Sequence, residues 1–339
     1  MSAAHRRLAD DPPVTRTPVA RFDLPLPDRT CRLVLKLEGA NEFGSIKART
    51  AYGLVAALER QGVLRPGGAV VESSSGNLGV ALAGICRRRG YRCTIVADTD
   101  TPEVVRDLIV GEGAELVVVP RRPEGNAVAD RLATVRRILD EQPDTVWTNQ
   151  YGSLANPEVH RDSTAPELAD DCAGDGLRAV VAAVSTGGTA AGLSAYLRRH
   201  LPELTMIVVD AVGSAATGGA AGPRPRKIPG FGSGRRSDFL TDVDWDLRIL
   251  VADDHAAQAC AVFRDATGLA LGGSAGGAVL GATIAALRDP GLTGIGVVCA
   301  DLGRAYRNTI YADDRRYPDP PDPEVLAALR VLGDARSGR

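Results

Sequence analysis

Short apolar segments alternate with longer helical ones along this chain, and that alternation constrains its fold more than any other feature. Residues 69–72 (AVVE) and 93–97 (CTIVA) are nearly all apolar and predict strands. Residues 47–61 and 77–89 have helical spacing, and a glycine follows each segment. Strands that are apolar on both faces are typical of parallel sheets covered by helices on both sides. The first half of the chain therefore predicts an α/β architecture.

The alternation continues through both halves of the chain. Further strands are predicted at 32–37, 116–119, 145–148, 179–184, 206–209, 249–252 and 296–300, and further helices at 102–112, 127–141, 189–200, 255–267, 276–288 and 323–332. Residues 213–238 are rich in Gly, Pro and Arg and predict a long functional or mobile loop. Residues 1–30 are rich in Pro, Asp and Arg, and we expect them to wrap over the surface before the first strand.

Composition excludes several classes of partner. The chain has 339 residues, 44% of them hydrophobic, with a net charge of −2 and a pI of about 6.1. That charge favours neither nucleic acid nor an anionic membrane surface, and no apolar run reaches membrane-spanning length. The six cysteines form no C-x-x-C pair, which is typical of reduced thiols in a cytoplasmic protein. No cluster of Cys, His and Asp has the spacing of a metal site.

Lysine is scarce in this chain. Lys36, Lys47 and Lys227 are the only three lysines among 40 basic residues. Arginine cannot replace lysine where a free amine must form an imine, because the guanidinium group does not lose its proton. A biased base composition of the genome would also make lysine rare, so scarcity alone does not assign a role to Lys47.

Four segments carry the chemical signal, and each lies at a predicted turn that opens a helix. Backbone N–H groups and the helix dipole make such turns suitable for anions, and glycines let the backbone approach a ligand. The segments are GSIKART at 44–50, ESSSGNLG at 72–79, STGGTAAG at 185–192 and GGSAGG at 272–277.

Alternative interpretations exist for each segment taken singly. A lone Gly-rich turn is often only a site of close packing, and a lone lysine at a helix start is usually a solvated charge. A dinucleotide site is disfavoured because no G-x-G-x-x-G follows the first strand and no suitable acid follows Gly187. A lysine and an anion-binding loop on neighbouring α/β segments instead suggest pyridoxal phosphate (PLP) chemistry.

The order and spacing of the four segments resemble the cysteine synthase branch of the fold-type II PLP enzymes, over roughly residues 14–312. The stretches NQY at 149–151, NPEVH at 156–160 and KIPGFG at 227–232 resemble that branch as well. The resemblance implies two doubly wound, mostly parallel sheet domains of the tryptophan synthase β-like type. It implies a large PLP-binding domain from residues 1–43 and 149–339, a smaller mobile domain from 44–148, and a homodimer acting on small amino-acid substrates.

The same resemblance implies roles for individual residues. Lys47 would hold PLP covalently, and Asn77 would hydrogen-bond the ring oxygen of the cofactor. The cofactor phosphate would be held by Ser185, Thr186, Gly187, Gly188 and Thr189. The substrate carboxylate would be held by Ser74, Ser75, Gly76, Asn77 and Gln150. Ser274 would face the pyridine nitrogen.

Ser274 predicts the type of reaction. A hydroxyl cannot stabilise a pyridinium as an aspartate does, so the ring would stay neutral and would be a weaker electron sink. Loss of a leaving group from Cβ would then compete well with a long-lived carbanion. The expected reaction is β-elimination followed by β-addition, with the amine of Lys47 as the general base for the Cα proton.

Several positions depart from the sulfide-using enzymes of that branch. The lysine motif is NEFGSIKAR at 41–49, the substrate loop continues SSGNL at 74–78, and GSGRRS follows at 232–237. These variants resemble synthases that join O-phospho-L-serine to L-glutamate, giving N-(2-amino-2-carboxyethyl)-L-glutamate, a 2,3-diaminopropionate precursor for siderophores or peptide antibiotics. Arg235 and Arg236 would then bind the phosphate leaving group.

Three alternatives stay open from the sequence. Arg235 and Arg236 could be ordinary solvated charges of an Arg-rich chain. The enzyme could be a cysteine synthase that uses O-phosphoserine or O-acetylserine with sulfide. The chain could also be a regulatory homologue without catalytic activity, although Lys47, Asn77 and Ser274 argue against it.

Overall fold

A computed structural model describes residues 14–120, 127–219, 222, 227–313 and 315–338. The described residues form two compact units. Unit one contains Asn41–Phe43 and Lys47–Val159, and unit two contains Arg16–Ala40, Gly44–Ile46 and the residues from His160 onward. The predicted domain limits and the predicted mobility of the smaller domain stay predictions, because the units are defined by contacts and not by motion.

Helices and strands alternate through most of the chain. The strands are β1 Val19–Pro25, β2 Thr30–Leu37, β3 Ala69–Ser73, β4 Arg92–Asp98, β5 Glu115–Val119, β6 Thr145–Trp147, β7 Ala179–Ala183, β8 Thr205–Ala211, β9 Leu247–Val251, β10 Gly294–Cys299 and β11 Arg336–Ser337. The helices are α1 Lys47–Arg60, α2 Asn77–Arg89, α3 Glu103–Gly111, α4 Ala127–Glu141, α5 Ala155–Val159, α6 Ala165–Asp171, α7 Gly188–His200, α8 Asp253–Thr267, α9 Gly273–Arg288 and α10 Pro323–Gly333. A π-helical segment occupies His160–Thr164, and a 3-10 helix occupies Gly303–Tyr306.

Unit one is built on a parallel sheet with the strand order β5-β4-β3-β6. Alternate residues of its central strands enter two separate apolar clusters. Val70 and Ile95 pack with residues of α1, α2 and α3, whereas Val71 and Val96 pack with residues of α4. Both faces are therefore covered, which explains why the central positions of these strands are mostly apolar.

Unit two is built on a sheet with the strand order β11-β1-β2-β10-β7-β8-β9. The strands β2, β10, β7, β8 and β9 each run parallel to their neighbours in that order. Strand β1 pairs antiparallel with both β2 and β11. Leu33 and Leu35 pack in one apolar cluster with α8 and α9, and Val34 packs in another with α7. The predicted α/β fold class with mostly parallel sheets is confirmed.

One expectation about the N-terminal region was wrong. Residues 19–25, predicted to lie in a surface segment, form strand β1, in which the buried Phe22 and Leu24 flank the partly exposed Asp23. Phe22 and Leu24 enter the core of unit two. Proline and charged residues around this strand hid its period-two pattern. Residues 1–13 lie outside the described part of the chain.

Other segments follow the predictions more closely. The described residues of 213–238 form turns and bends, as the Gly/Pro/Arg composition predicts. The six cysteines all lie among the described residues, are buried and form no disulfide. Within the part of the chain that is described, no helix combines the length and apolarity needed to cross a membrane.

Lys36 shows what one of the three lysines does in the fold. Its side chain is fully buried in unit two, and its amine lies 2.7 Å from Asp171 and 2.9 Å from Glu167. The amine also donates to the carbonyl oxygen of Thr17 at 2.7 Å. Lys36 therefore fixes β2 against α6 as a buried, paired charge, which removes it as a candidate for chemistry.

Candidate active site

Lys47 is the first residue of α1 and is half-buried. The residues before it are fixed by backbone contacts within unit two, since Ser45 forms a bridge with Asp301 and the N–H of Ile46 donates to Ala300 at 2.7 Å. Removal from water lowers the pKa of Lys47 from 10.5 to about 8, and the negative charge of Glu72 partly opposes that shift. An amine with this pKa is partly deprotonated near neutral pH, as a nucleophile must be.

The predicted substrate loop follows β3 and opens α2. The Ser74 hydroxyl accepts from the N–H of Gly79 at 2.9 Å and of Gly76 at 3.3 Å, so it closes the first turn of the helix. Ser75, Gly76 and Asn77 are half-buried at the same end of α2. The loop thus presents hydroxyl, amide and backbone donors around a helix start, the arrangement that suits a carboxylate.

Glu72 organises this end of unit one, and the sequence prediction assigned it no role. Its buried carboxylate accepts from the backbone N–H of Ser73 at 2.7 Å and of Gln150 at 2.9 Å. Thr148 donates to it at 2.6 Å and the Trp147 indole at 3.4 Å. Burial raises the pKa of Glu72, and these hydrogen bonds act against that rise. An acidic residue near the end of an otherwise apolar strand was the sequence signal that could have identified Glu72.

Gln150 is joined to the substrate loop through its own side chain. Its side-chain amide nitrogen donates to the Ser73 backbone carbonyl at 2.7 Å, and the backbone carbonyl of Gln150 accepts from the Asn156 side-chain amide at 2.8 Å. Asn149 precedes it with a φ of 50°, a left-handed conformation that turns the chain sharply after β6. Gln150 is therefore tied to Ser73, the residue that directly precedes the predicted substrate serines.

A buried ion pair supports the same loop from the other side. The guanidinium of Arg131 in α4 pairs with Asp98 at the end of β4, and its Nε donates to the Ser73 hydroxyl at 3.2 Å. Both charged side chains are nearly inaccessible to solvent. The sequence prediction missed this contact because Arg131 lies in an ordinary amphipathic helix, far from any motif.

The predicted phosphate loop lies between β7 and α7 in unit two. Gly187 has a φ of 91°, and a Cβ there would lie 2.1 Å from the Ser237 hydroxyl oxygen. That hydroxyl donates to the Thr186 carbonyl at 2.7 Å, which fixes the turn. The N-cap residue of α7 is Gly187, which has no side chain that could cap the first turn. Backbone N–H groups at the start of a helix are donors of the kind that bind an anion, as the prediction for this loop requires.

The remaining residues of this loop differ in exposure. Ser185 and Thr189 are half-buried, whereas Thr186 and Gly188 are buried. The Thr189 hydroxyl lies 3.4 Å from Nε2 of His160, a fully buried residue of the π-helical segment. The His160 ring therefore contacts the predicted phosphate loop through the hydroxyl of Thr189.

Ser274 lies in the first turn of α9 and is buried. The glycines around it are required by close packing. A Cβ on Gly272 would lie 1.8 Å from a carboxylate oxygen of Asp301, and one on Gly276 would lie 2.2 Å from the Cys260 sulfur. These contacts hold the turn that carries Ser274 tightly against its neighbours, so its hydroxyl is presented by a rigid support.

Arg235 and Arg236 directly precede Ser237, whose hydroxyl contacts the predicted phosphate loop. The Arg235 guanidinium pairs with Asp238 at 2.6 Å, and Arg236 lies 3.9 Å from Asp242. Arg236 is exposed, with 62% of its side chain accessible, and Arg235 is half-buried. Arg235 would have to exchange its carboxylate partner to bind a phosphate.

These residues fit PLP. Unit one supplies an amine with a lowered pKa, which can bond to an aldehyde, and a half-buried amide at Asn77. Unit two supplies an uncapped helix start for a phosphate and a buried hydroxyl at Ser274. Within each unit, the groups present suit one part of the cofactor: the amine of unit one suits its aldehyde, and the helix start of unit two suits its phosphate.

Comparison with known proteins defines the class. The sequence profile described as "Pyridoxal-phosphate dependent enzyme" matches residues 11–300. The chain therefore belongs to the family of PLP-dependent enzymes, with the fold-type II architecture of the cysteine synthases, and it is an enzyme of the β-replacement type. The predicted cofactor is confirmed at the level of the family.

The individual relatives to which this chain is similar include synthases of two kinds. An N-(2-amino-2-carboxyethyl)-L-glutamate synthase of Ralstonia nicotianae is 35% identical over 301 residues, which cover 88% of each chain. A probable cysteine synthase of Bacillus subtilis is 32% identical and covers 86% of this chain and 94% of its own. Among solved structures, an O-ureido-L-serine synthase is 26% identical with a TM-score of 0.82, covering 95% of this chain and 99% of its own.

Proposed function

We propose that this enzyme joins O-phospho-L-serine and L-glutamate to give N-(2-amino-2-carboxyethyl)-L-glutamate and phosphate. The observation that carries the proposal is the 35% identity, over 88% of both chains, to a synthase named for that product. A second synthase of that name, from Cupriavidus metallidurans, is also 35% identical over 286 residues. The departures at 41–49, 74–78 and 232–237 from the sulfide-using pattern support the same assignment.

In this proposal the binding roles divide by chemical group. Lys47 bonds to the PLP aldehyde and Asn77 to its ring oxygen. Ser274 faces the pyridine nitrogen. The substrate carboxylate is held by Ser74, Ser75, Gly76, Asn77 and Gln150, and the cofactor phosphate by Ser185, Thr186, Gly187, Gly188 and Thr189. Because the Ser74 hydroxyl already closes the first turn of α2, its neighbours supply most of the remaining donors.

The chemistry of PLP is to withdraw electrons from the Cα of the bound amino acid. When its amine is not bonded to the cofactor, Lys47 would act as the general base for the Cα proton, and burial lowers its pKa from 10.5 to about 8. The phosphate group then leaves Cβ, and the amine of glutamate adds to the same carbon. The proton held on Lys47 returns to Cα at the end of the reaction.

Arg235 and Arg236 are the proposed contacts for the leaving phosphate. A guanidinium group is the preferred partner of a phosphate because it can form charge-assisted, bidentate hydrogen bonds with it. The dianion would compete with Asp238 for Arg235, which that carboxylate holds at 2.6 Å before substrate arrives. Arg236 is exposed and lies 3.9 Å from the exposed Asp242, so it could turn toward a phosphate without losing a close partner.

A second candidate function is cysteine synthesis from O-phosphoserine or O-acetylserine with sulfide. The 32% identity to a probable cysteine synthase of Bacillus subtilis, over 94% of that chain, favours it. With O-phosphoserine as the substrate, the two functions share every step up to the loss of phosphate and differ only in the nucleophile; with O-acetylserine, the leaving group differs as well.

A co-substrate screen separates the two candidates. The purified PLP-loaded enzyme is mixed with O-phospho-L-serine and either L-glutamate or sulfide, and the products are identified by mass spectrometry. We expect the glutamate adduct and free phosphate, with the Lys47→Ala variant as the inactive control. Consumption of sulfide with no glutamate adduct would assign the enzyme as a cysteine synthase instead.

The cellular context is part of the proposal. We infer that the enzyme acts as a homodimer in the cytoplasm and supplies a 2,3-diaminopropionate precursor for a siderophore or a peptide antibiotic. Light scattering coupled to size-exclusion chromatography tests the dimer, because a monomer would elute with the 35.4 kDa mass of a single chain.

A further inference from the structure

A buried carboxylate lies directly behind the loop that we propose binds the substrate. Glu72 is fully inaccessible to solvent, and its two oxygens accept hydrogen bonds from four donors. One oxygen accepts from the Ser73 N–H and the Trp147 indole, and the other accepts from the Thr148 hydroxyl and the Gln150 N–H. No step of the proposed reaction uses this group.

The chemistry of these donors selects an acceptor at position 72. Backbone N–H groups and an indole N–H can only donate, and of the four partners only the Thr148 hydroxyl can also accept. A glutamine at position 72 would place an NH₂ group against one of these pairs, and a buried donor facing a donor is strongly unfavourable. The arrangement therefore requires a carboxylate and not merely a polar side chain of the same size.

The positions of the donors give the carboxylate its geometric effect. Ser73 ends β3, whereas Thr148 and Gln150 follow β6, the neighbouring parallel strand. Glu72 therefore ties together two loops that leave the sheet at the same edge. The Gln150 side chain closes the connection by donating to the Ser73 carbonyl at 2.7 Å. Its amide nitrogen has a second N–H that remains for a ligand.

We propose that Glu72 is a positioning residue, which holds Gln150 and the serines of the substrate loop in the arrangement that binds the amino-acid carboxylate. The inference rests on the carboxylate-binding role proposed above for Ser74, Ser75 and Gln150. Glu72 itself does not touch the substrate. It acts through the backbone of Ser73 and Gln150, whose positions set the direction of the donors.

A purely structural role would have a different signature. If Glu72 only satisfied buried N–H groups, its loss would lower the stability of the whole unit and would weaken the binding of every ligand equally. If Glu72 positions the carboxylate site, its loss lowers affinity for ligands that carry a free carboxylate much more than for ligands that lack one. The comparison between the two ligand types therefore separates the two roles.

The test is a binding titration with L-serine and with L-serine methyl ester, followed by the visible absorbance of PLP on the loaded enzyme. For Glu72→Gln we expect the dissociation constant for L-serine to rise about tenfold or more, and that for the ester by less than about threefold. Hydrogen exchange on the PLP-free protein should become faster at the amides of Ser73 and Gln150. Equal losses for the two ligands, or no loss, would overturn the inference.

Two further variants keep the test decisive. Glu59→Gln neutralises another buried glutamate of unit one, which accepts from the Tyr91 hydroxyl at 2.8 Å, and it should leave the ratio of the two affinities unchanged. Thr148→Val removes one donor while preserving shape, and it should give the same selective loss on a smaller scale, about threefold. If Glu72→Gln does not fold, an unselective effect of Thr148→Val refutes the proposal.

The outcome for the wild-type protein separates this inference from the proposed function. L-serine carries no phosphate and the titration contains no second nucleophile, so the identity of the co-substrates does not affect it. If the wild type binds the acid and the ester equally, the proposed carboxylate site is wrong. If the wild type discriminates and Glu72→Gln discriminates equally well, only the role of Glu72 is wrong.

Discussion

Replacement of Gly187 by alanine tests the phosphate loop through two separable effects. The backbone at Gly187 has a φ of 91°, where an L-residue is strained by about 1–2 kcal/mol. The new Cβ would also lie 2.1 Å from the Ser237 oxygen, 2.9 Å from its Cβ and 3.0 Å from Leu240. Overpacking of this kind costs about 1–3 kcal/mol, so the total loss of stability should be about 2–5 kcal/mol.

Gly268→Ala is the matched control for this variant. Gly268 ends α8 with a φ of 79°, and a Cβ there meets nothing within 4 Å. Its replacement should cost only the backbone strain, about 1–2 kcal/mol, and should leave PLP binding unchanged. The difference between the two variants therefore isolates the steric contact between Gly187 and Ser237.

Chemical denaturation and PLP titration measure the two effects. We expect Gly187→Ala to lose more stability than Gly268→Ala and to bind PLP at least about tenfold more weakly, because the Cβ pushes the Thr186 turn away from the start of α7. If both variants lost the same stability and bound PLP equally, the close approach of Ser237 to this turn would be refuted.

Three further predictions concern charged side chains. In the PLP-free protein, burial of the charged Lys47 amine lowers the free energy of unfolding below pH 8, and this penalty is lost as the pH rises from 8 toward 10.5. Denaturation curves should therefore show the stability of the wild type increasing over that window relative to the stability of Lys47→Met. Lys36→Met leaves two carboxylates without their shared partner and should destabilise the protein by about 3 kcal/mol, while the visible PLP absorbance persists. Replacing Arg235 and Arg236 together by alanine should raise the KM for O-phosphoserine about tenfold and the KM for O-acetylserine much less; equal changes would remove these residues from the phosphate site.

The sequence predicted most of the architecture because the strands are apolar on both faces. Val70 and Val71 point to opposite sides of β3 and both are buried, so the run has no polar position to interrupt it. The helices that open at Asn77 and Gly188 were equally predictable, since glycine-rich turns mark their starts. Strand β1 was missed because its charged positions and flanking prolines obscure the alternation of Phe22 and Leu24.

The supporting contacts of the site could not be predicted, because they depend on which strands are neighbours. Glu72 meets Thr148 and Gln150 only because β6, distant in sequence, pairs directly with β3. Arg131 reaches Ser73 only because α4 packs across the same strand. A motif identifies residues that lie close together along the chain, whereas these contacts follow from the strand order of the folded sheet.

Reduction of the PLP-loaded enzyme with borohydride, followed by peptide mapping, tests the central claim most directly. The reagent makes the bond between PLP and its lysine permanent, so the labelled peptide identifies the lysine. Lys36 is fully buried in an ion pair and Lys227 pairs with Asp254 at 3.0 Å, whereas burial lowers the pKa of Lys47 to about 8, so Lys47 is the expected site. A single labelled peptide that contains Lys47 is the predicted result. A label on the Lys36 or Lys227 peptide would contradict the assignment.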